Sequence, residues 1–173
     1  MLTQFFLIGE VLKPQGIRGE AKLCWDAADP ETSLAWDTLY FRDGDSYQPV
    51  SVRVHRLDGD FAYVQFSGCS TPEDVERLRG REVYIDRAHA SPLPEGGYYL
   101  SDLKGCRAQD EAGKELSVLT DVLQYGPTDI YVFRTAKGEL MAPALPDVFV
   151  ETDVAANIIR VNTKRLSEVA VVN

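Results

Sequence analysis

The sequence predicts an all-β protein made of two small domains joined by a short linker. Most segments of its 173 residues alternate between apolar and polar side chains with a period of two, the pattern of half-buried strands. The stretch 88–97 holds two prolines and two glycines and has no apolar period, which is typical of a linker. Many short strands at this spacing predict a small barrel or sandwich in each domain.

The clearest strands of the first half form a hairpin. VSVRVHRL at 50–57 and FAYVQF at 61–66 both alternate, and Asp58-Gly59 stands between them. Both turn residues tolerate a positive φ, so the pattern predicts a type I′ turn. Two further runs predict strands in this half: AKLCW at 21–25 and REVYID at 81–86.

One helix interrupts the strands of the first half. Thr71 is a suitable N-cap residue, and Asp74, three residues later, approximates a capping box. Val75 and Leu78 give an inward stripe, and Gly80 is suited to end the helix after about two turns.

Short strands resume after the linker, starting at the paired tyrosines. Adjacent side chains of a strand point to opposite faces, so Tyr98 and Tyr99 are expected to diverge, and the sequence leaves open which one faces outward. The predicted domains are 1–90 and 98–173, the second with a C-terminal tail, and the linker is 91–97. The strands predicted in the second domain are YYL, CRAQD, SVLTDVLQY, IYVFRT, ELMAPAL and NIIRVN.

Composition restricts the class of protein. No stretch approaches the roughly 18 apolar residues of a membrane span, and the start lacks the pattern of a secretory signal. Three cysteines without a CxxC pair argue against a disulfide framework or a cysteine zinc site, and favour a reducing cytoplasm. No exposed apolar repeat stands out, so we expect a monomer.

The net charge of −9 is shared by both halves. Residues 1–90 hold 10 Lys and Arg against 15 Asp and Glu, and the remainder holds 8 against 12. This balance suits a basic protein partner better than a nucleic acid, since complementary charge accelerates encounter. The alternative is that the charge serves solubility alone.

The sequence nominates no catalytic centre, cofactor or metal site. It contains no GxGxxG, GxxxxGK[ST], HExxH or GxSxG motif. His55 lies on the polar face of a strand and His89 in a stretch without apolar period, so neither is suited to a metal or base role.

The segment IGEVLKPQGIRGEAKL at 8–23 is a candidate binding site as well as a predicted hairpin. Strand-like flanks enclose a loop with two cations, Lys13 and Arg18, and two glycines, Gly16 and Gly19. Exposed amides and cations could meet a phosphate, which makes this loop a candidate phosphate-binding site. The alternative is a long hairpin loop whose glycines serve only the turn.

Two motifs in order resemble the ribosome maturation factor RimM family. IGEVLKPQGIRGEAKL resembles the opening strand–loop–strand of that family, and GGYYLSDLKGCRA resembles the start of its second domain. The likeness continues through GKELSVLTDVLQYGPTDIYVF and ELMAPALPDVFVETDVAANIIRV, so it covers nearly the whole chain. The departures are Gln15 where His is usual, Ser117 where Gly is common, and the ending TKRLSEVAVVN.

The resemblance implies a six-stranded, translation-factor-like barrel followed by a PRC-barrel. It implies a non-enzymatic assembly factor that binds the bacterial small ribosomal subunit at ribosomal protein nineteen of the head and assists rRNA processing. It implies that Tyr98 and Tyr99 contact the subunit. It also makes the loop with Lys13, Gly16, Arg18 and Gly19 a candidate for binding rRNA. Two alternatives remain: a PRC-barrel adaptor with a non-ribosomal partner, and an rRNA-processing enzyme.

Overall fold

The computed structural model describes residues 2–90, 93 and 97–173. The chain forms two compact units, one from the described residues of 4–92 and the other from those of 1–3 and 93–173. Each unit has its own hydrophobic core. The predicted fold class is confirmed, whereas the predicted boundaries stay a prediction and the predicted linker, 91–97, lies mostly outside the described residues.

The first unit is a closed barrel of six antiparallel strands with two short helices. The helices are α1 (Pro30–Ser33) and α2 (Pro72–Glu76). The strands are β1 (Phe5–Gln15), β2 (Glu20–Trp25), β3 (Thr38–Asp43), β4 (Ser46–Asp58), β5 (Phe61–Phe66) and β6 (Glu82–Asp86). Around the barrel they follow the order β1-β2-β5-β4-β3-β6. Alternate side chains fill the interior, with Leu23, Leu39, Val64 and Phe66 almost wholly buried.

The predicted hairpin forms, but its turn lies one residue further along the chain. Asp58 pairs with Phe61, so the two loop residues are Gly59 and Asp60. Gly59 has a φ of 57°, and Asp60 has none of the positive φ that a type I′ turn requires. Glycine at the first central position is the pattern of a type II′ turn, and the predicted type I′ turn is therefore wrong.

The predicted helix cap is present in full. The Asp74 amide donates to the Thr71 hydroxyl at 3.3 Å, and the Thr71 amide donates to the Asp74 carboxylate at 3.0 Å. Val75 is fully buried beneath the helix. Helix α2 is shorter than predicted, because it ends at Glu76 and a turn continues to Gly80, whose φ is 81°.

The second unit is one seven-stranded sheet with two short helices. The helices are α3 (Leu100–Leu103) and α4 (Thr163–Val169). The strands are β7 (Arg107–Gln109), β8 (Glu115–Leu123), β9 (Ile130–Thr135), β10 (Gly138–Pro143), β11 (Phe149–Asp153), β12 (Ile158–Val161) and β13 (Val171–Val172). They pair in the order β11-β12-β7-β8-β9-β10-β13. Phe133, Leu119 and Ile159 are among the buried side chains of its core.

The strand predicted at YYL is wrong. Leu100 begins helix α3, and Tyr99 is its N-cap with an extended φ of −71° and ψ of 133°. Asp102 in this helix is buried, and its carboxylate accepts a hydrogen bond from the Thr3 amide at 2.8 Å. A partner 99 positions away therefore helps to satisfy a charged group within the helix.

Candidate functional site

Tyr98 and Tyr99 have different surroundings although they are adjacent. Tyr98 is 38% exposed, and its hydroxyl donates to the Thr152 carbonyl at 3.4 Å. Tyr99 is half-buried, and its carbonyl accepts from the amides of Asp102 and Leu103 at 2.9 and 3.3 Å. Tyr98 is the more exposed of the pair, which answers the question that the sequence left open.

Tyr98 lines an open groove of about 870 Å³ in the second domain. The Tyr131 and Phe149 rings meet in the groove with centroids 4.8 Å apart, and Phe149 stacks on Phe133 at 5.7 Å. Tyr131 is mostly buried, whereas Val150, which also lines the groove, is exposed. The remaining lining comes from residues 97–103, the β8–β9 loop and residues 144–152: Gly97, Leu100, Leu103, Gln124, Pro127, Thr128, Asp129, Ala144, Leu145, Pro146, Glu151 and Thr152.

The groove is acidic as well as aromatic. Its charged lining residues are Asp129 and Glu151, and no Lys or Arg of the described chain lines it. Gln124 donates to both oxygens of Asp129 at 3.3 and 3.4 Å, and Glu151 pairs with Arg160 at 3.0 Å. Burial raises the pKa of Tyr131, and the negative charge of Asp129 raises it further, so the phenol stays protonated and can donate a hydrogen bond.

The predicted loop is shorter than KPQGIRG. Lys13 and Gln15 belong to strand β1, and the loop itself covers 16–19, because Gln15 pairs with Glu20. Gly16 has a φ of 68° and open space around it. Gly19 has a φ of 80°, and a Cβ there would lie 2.6 Å from the carbonyl oxygen of Cys69. Both glycines thus serve the turn, and their binding of a phosphate stays a prediction.

The two predicted cations of this segment are exposed. Lys13 and Arg18 show no ion pair within the described part of the chain, and the Arg18 carbonyl accepts from the side-chain Nε2 of Gln65 at 3.2 Å. Ile17 at the loop tip is 82% exposed, a feature that the sequence analysis missed. Charge and an apolar side chain thus stand together at one end of the barrel.

The remaining polar groups show no metal-binding geometry. Within residues 2–90, 93 and 97–173, no three His, Cys, Asp or Glu side chains gather as metal ligands would. His55 pairs with Glu20 at 2.5 Å and His89 with Asp86 at 2.7 Å.

None of the helices in residues 2–90, 93 and 97–173 has the length and apolar composition needed to span a bilayer.

Fold and groove together define a two-domain β protein whose second domain has an acidic, aromatic groove. The sequence model described as the RimM N-terminal domain matches residues 6–90, and the model described as the RimM PRC barrel domain matches residues 100–165. The chain therefore belongs to the RimM family, as the two motifs predicted.

Relatives named ribosome maturation factor RimM agree with this assignment. The ribosome maturation factor RimM of Lactobacillus gasseri is 31% identical over 163 residues, which cover 92% of this chain and 94% of the relative. That of Ruminiclostridium cellulolyticum is 29% identical over 154 residues, with coverages of 88% and 91%. A crystal structure of the 16S ribosomal RNA processing protein RimM from Pseudomonas aeruginosa is 26% identical, with coverages of 91% and 96% and a TM-score of 0.44.

Proposed function

We propose that this chain is a ribosome maturation factor that associates with the small ribosomal subunit and supports 16S rRNA processing. The family membership and the names of the relatives support this role. The factor acts in the cytoplasm, where bacterial ribosomes assemble, and it acts by binding rather than by catalysis.

The groove beside Tyr98 is the observation that carries the proposal. Its partner is a basic protein of the subunit head, ribosomal protein nineteen. Long Lys and Arg side chains can lay their apolar stems on Tyr131 and Phe149 while their charges approach Asp129 and Glu151. Exposed tyrosines with a packed surrounding are frequent energetic anchors of interfaces, and Tyr98 meets this description.

Co-sedimentation with purified small subunits tests this proposal. Tyr98→Ala should weaken the association by about tenfold, because it removes an anchor from the rim of the groove. Leu116→Ala is a matched control, since Leu116 is 40% exposed in the same domain but does not line the groove. Tyr99→Ala should lower the stability of the second domain, because it removes a half-buried aromatic side chain while leaving the backbone carbonyl that accepts at the start of α3.

The result that would contradict the proposal is equal co-sedimentation of Tyr98→Ala, Leu116→Ala and the unchanged protein, with all three shown to be folded.

A second experiment addresses the rival function, an rRNA-processing enzyme. Purified protein incubated with precursor rRNA should leave the RNA uncut and unmodified, and turnover by the pure protein would overturn the non-enzymatic role.

A further inference from the structure

Four strands of the barrel place three cations in one row on its outer face. Lys13 of β1 lies directly opposite Lys22 of β2, Lys22 lies opposite Tyr63 of β5, and Tyr63 lies opposite Arg56 of β4. We call Lys13, Lys22 and Arg56, with Tyr63 between them, the basic row. Since neighbouring strands are about 4.8 Å apart, the row spans about 14 Å.

Two β-bulges create the row. The pairing of β1 with β2 shifts by one residue between Val11 and Lys13, and that of β4 with β5 shifts between Val54 and Arg56. Each shift passes over one residue and brings a cation into register with the partner strand. Bulges that re-aim a side chain are frequent next to functional sites.

Aromatic rings hold two of the cations in place. The Arg56 guanidinium lies 3.6 Å from the centroid of the Tyr63 ring, and the Lys22 ammonium lies 4.1 Å from that of Phe61. Tyr63 is almost wholly covered, whereas Phe61 is 36% exposed at the side of the row. Cations and one accessible aromatic ring therefore lie on the same outer face of the barrel.

The cations of the row have no carboxylate partner among the described residues. Arg53 on the same face also has none, and the neighbouring Glu20 is paired with His55. Some cations outside the row do have carboxylate partners, as Arg79 has Glu76 and Arg165 has Asp147. Placing Lys13 opposite Lys22 is destabilising in a sheet, so the row is a local conflict of the kind expected at a functional surface.

We propose that the basic row binds single-stranded RNA, with phosphates on Lys13, Lys22 and Arg56 and an unstacked base on Phe61. Cations that follow the backbone and aromatic rings that accept bases are the two components of single-strand binding. The protein carries a net charge of −9 and repels a polyanion as a whole, so RNA affinity depends on this local row. An acidic peptide would match the charges but would make no use of the exposed ring.

The choice of RNA as the ligand rests on the proposed role in ribosome maturation. The inference adds Lys22, Arg56 and Phe61 to Lys13 and Arg18, the two cations predicted from the sequence. Its test uses purified protein and no ribosomal particle. Failure of RNA binding would therefore leave the co-sedimentation result for Tyr98 standing, and the two outcomes are distinguishable.

The experiment measures the affinity for a labelled single-stranded RNA of about twelve nucleotides by fluorescence anisotropy at several salt concentrations. The triple variant Lys13→Gln, Lys22→Gln, Arg56→Gln should bind more weakly. Its plot of log affinity against log salt should be shallower by about 2, since each lost phosphate contact contributes about 0.7. Thermal unfolding verifies that the variant is folded.

A matched control removes the same charge elsewhere on the barrel. Arg77→Gln, Arg79→Gln, Arg81→Gln lowers the net charge equally, and none of these residues belongs to the row. Its salt slope should equal that of the unchanged protein, and an equal loss in both triple variants would overturn the proposal.

Two further measurements distinguish RNA from an acidic protein partner. Phe61→Leu should weaken RNA binding by roughly tenfold without a change in salt slope, because a base loses its stacking partner. A polyglutamate peptide should displace the labelled RNA less effectively than unlabelled RNA of equal charge. An unchanged affinity of Phe61→Leu, or equal displacement by the peptide, would overturn the assignment to single-stranded RNA.

Discussion

The groove of the second domain and the basic row of the first domain both combine aromatic rings with charged side chains. The charges are negative in the groove and positive in the row. In the groove, Tyr131 and Phe149 are packed into a concave surface edged by Asp129 and Glu151. On the row, Tyr63 and Phe61 lie under cations on an open sheet face. The net charge of −9 therefore includes two surfaces of opposite local charge, one on each domain.

The partners of the charges differ as well. Glu151 in the groove is paired with Arg160, and Asp129 accepts two hydrogen bonds from Gln124, whereas Lys13, Lys22 and Arg56 have no such partners among the described residues. We therefore expect binding in the groove to depend mainly on apolar burial, with a modest response to salt. Binding on the row should depend mainly on phosphate neutralisation and fall steeply with salt.

The largest expected effect is a loss of stability in the barrel alone, caused by substitution of Gly19. Gly19→Ala should lower the free energy of unfolding of the barrel by about 3 kcal/mol, because its positive φ is unfavourable for alanine and its Cβ would meet the Cys69 carbonyl. Urea unfolding measures this loss. RNA binding by the row should fail with the barrel, while binding in the groove should persist at concentrations of urea that leave the second domain folded.

Gly16→Ala is the control for this experiment. Gly16 has a similar φ of 68° but open space at its Cβ, so the loss should be about 1 kcal/mol. The difference between the two variants isolates the close contact of Gly19 with Cys69 and Ser70. Equal losses would show that the close contact contributes nothing.

An intermediate effect is expected from the groove carboxylates. Asp129→Asn with Glu151→Gln should weaken association with the small subunit by roughly fivefold, because complementary charge accelerates encounter with a basic partner. The control, Glu115→Gln with Glu168→Gln, removes two carboxylates that pair with arginines outside the groove. Co-sedimentation at low and high salt measures both, and identical behaviour of the two double variants would contradict the acidic role of the groove.

The smallest expected effect is a change in how the stability of the barrel depends on pH, caused by Asp74 at the start of α2. Hydrogen bonds from the Ser70 amide and from Thr71 hold the pKa of Asp74 below its ordinary value of 3.8. Because the folded pKa is lowered, this stabilisation is fully present above pH 3.8 and is lost as the pH falls through the folded pKa. Thermal unfolding of Asp74→Asn between pH 2 and 7 should therefore show a smaller decline at acid pH, and an unchanged decline would refute it.

Local signals in the sequence predicted much of the barrel. The hairpin of β4 and β5 and the capping box of α2 depend on residues close in the chain, and both are present. The turn lies one residue later than the sequence predicts, because Asp58 and Gly59 are both good turn residues and only the strand register, in which Asp58 pairs with Phe61, decides which of them is in the loop. Asn162, which accepts a hydrogen bond from the Arg165 amide, was a visible N-cap signal for the missed helix α4.

Features that depend on distant residues were not predictable. Helix α3 replaces the strand expected at YYL, and its buried Asp102 is satisfied with the help of Thr3. The basic row requires the pairing of β2 with β5 and two bulges, none of which a single sequence displays. The groove likewise joins Tyr98 to Tyr131 and Phe149, which are far apart in the chain.

The hydrogen bond from Thr3 to Asp102 has a practical meaning for anyone who divides this protein into fragments. A fragment that starts at residue 93 retains every strand of the second domain but lacks the Thr3 amide. Its buried carboxylate then loses a donor, at a cost of about 1–3 kcal/mol. A short peptide with the sequence of residues 1–3, supplied in trans or fused ahead of the fragment, is the natural means of restoring it.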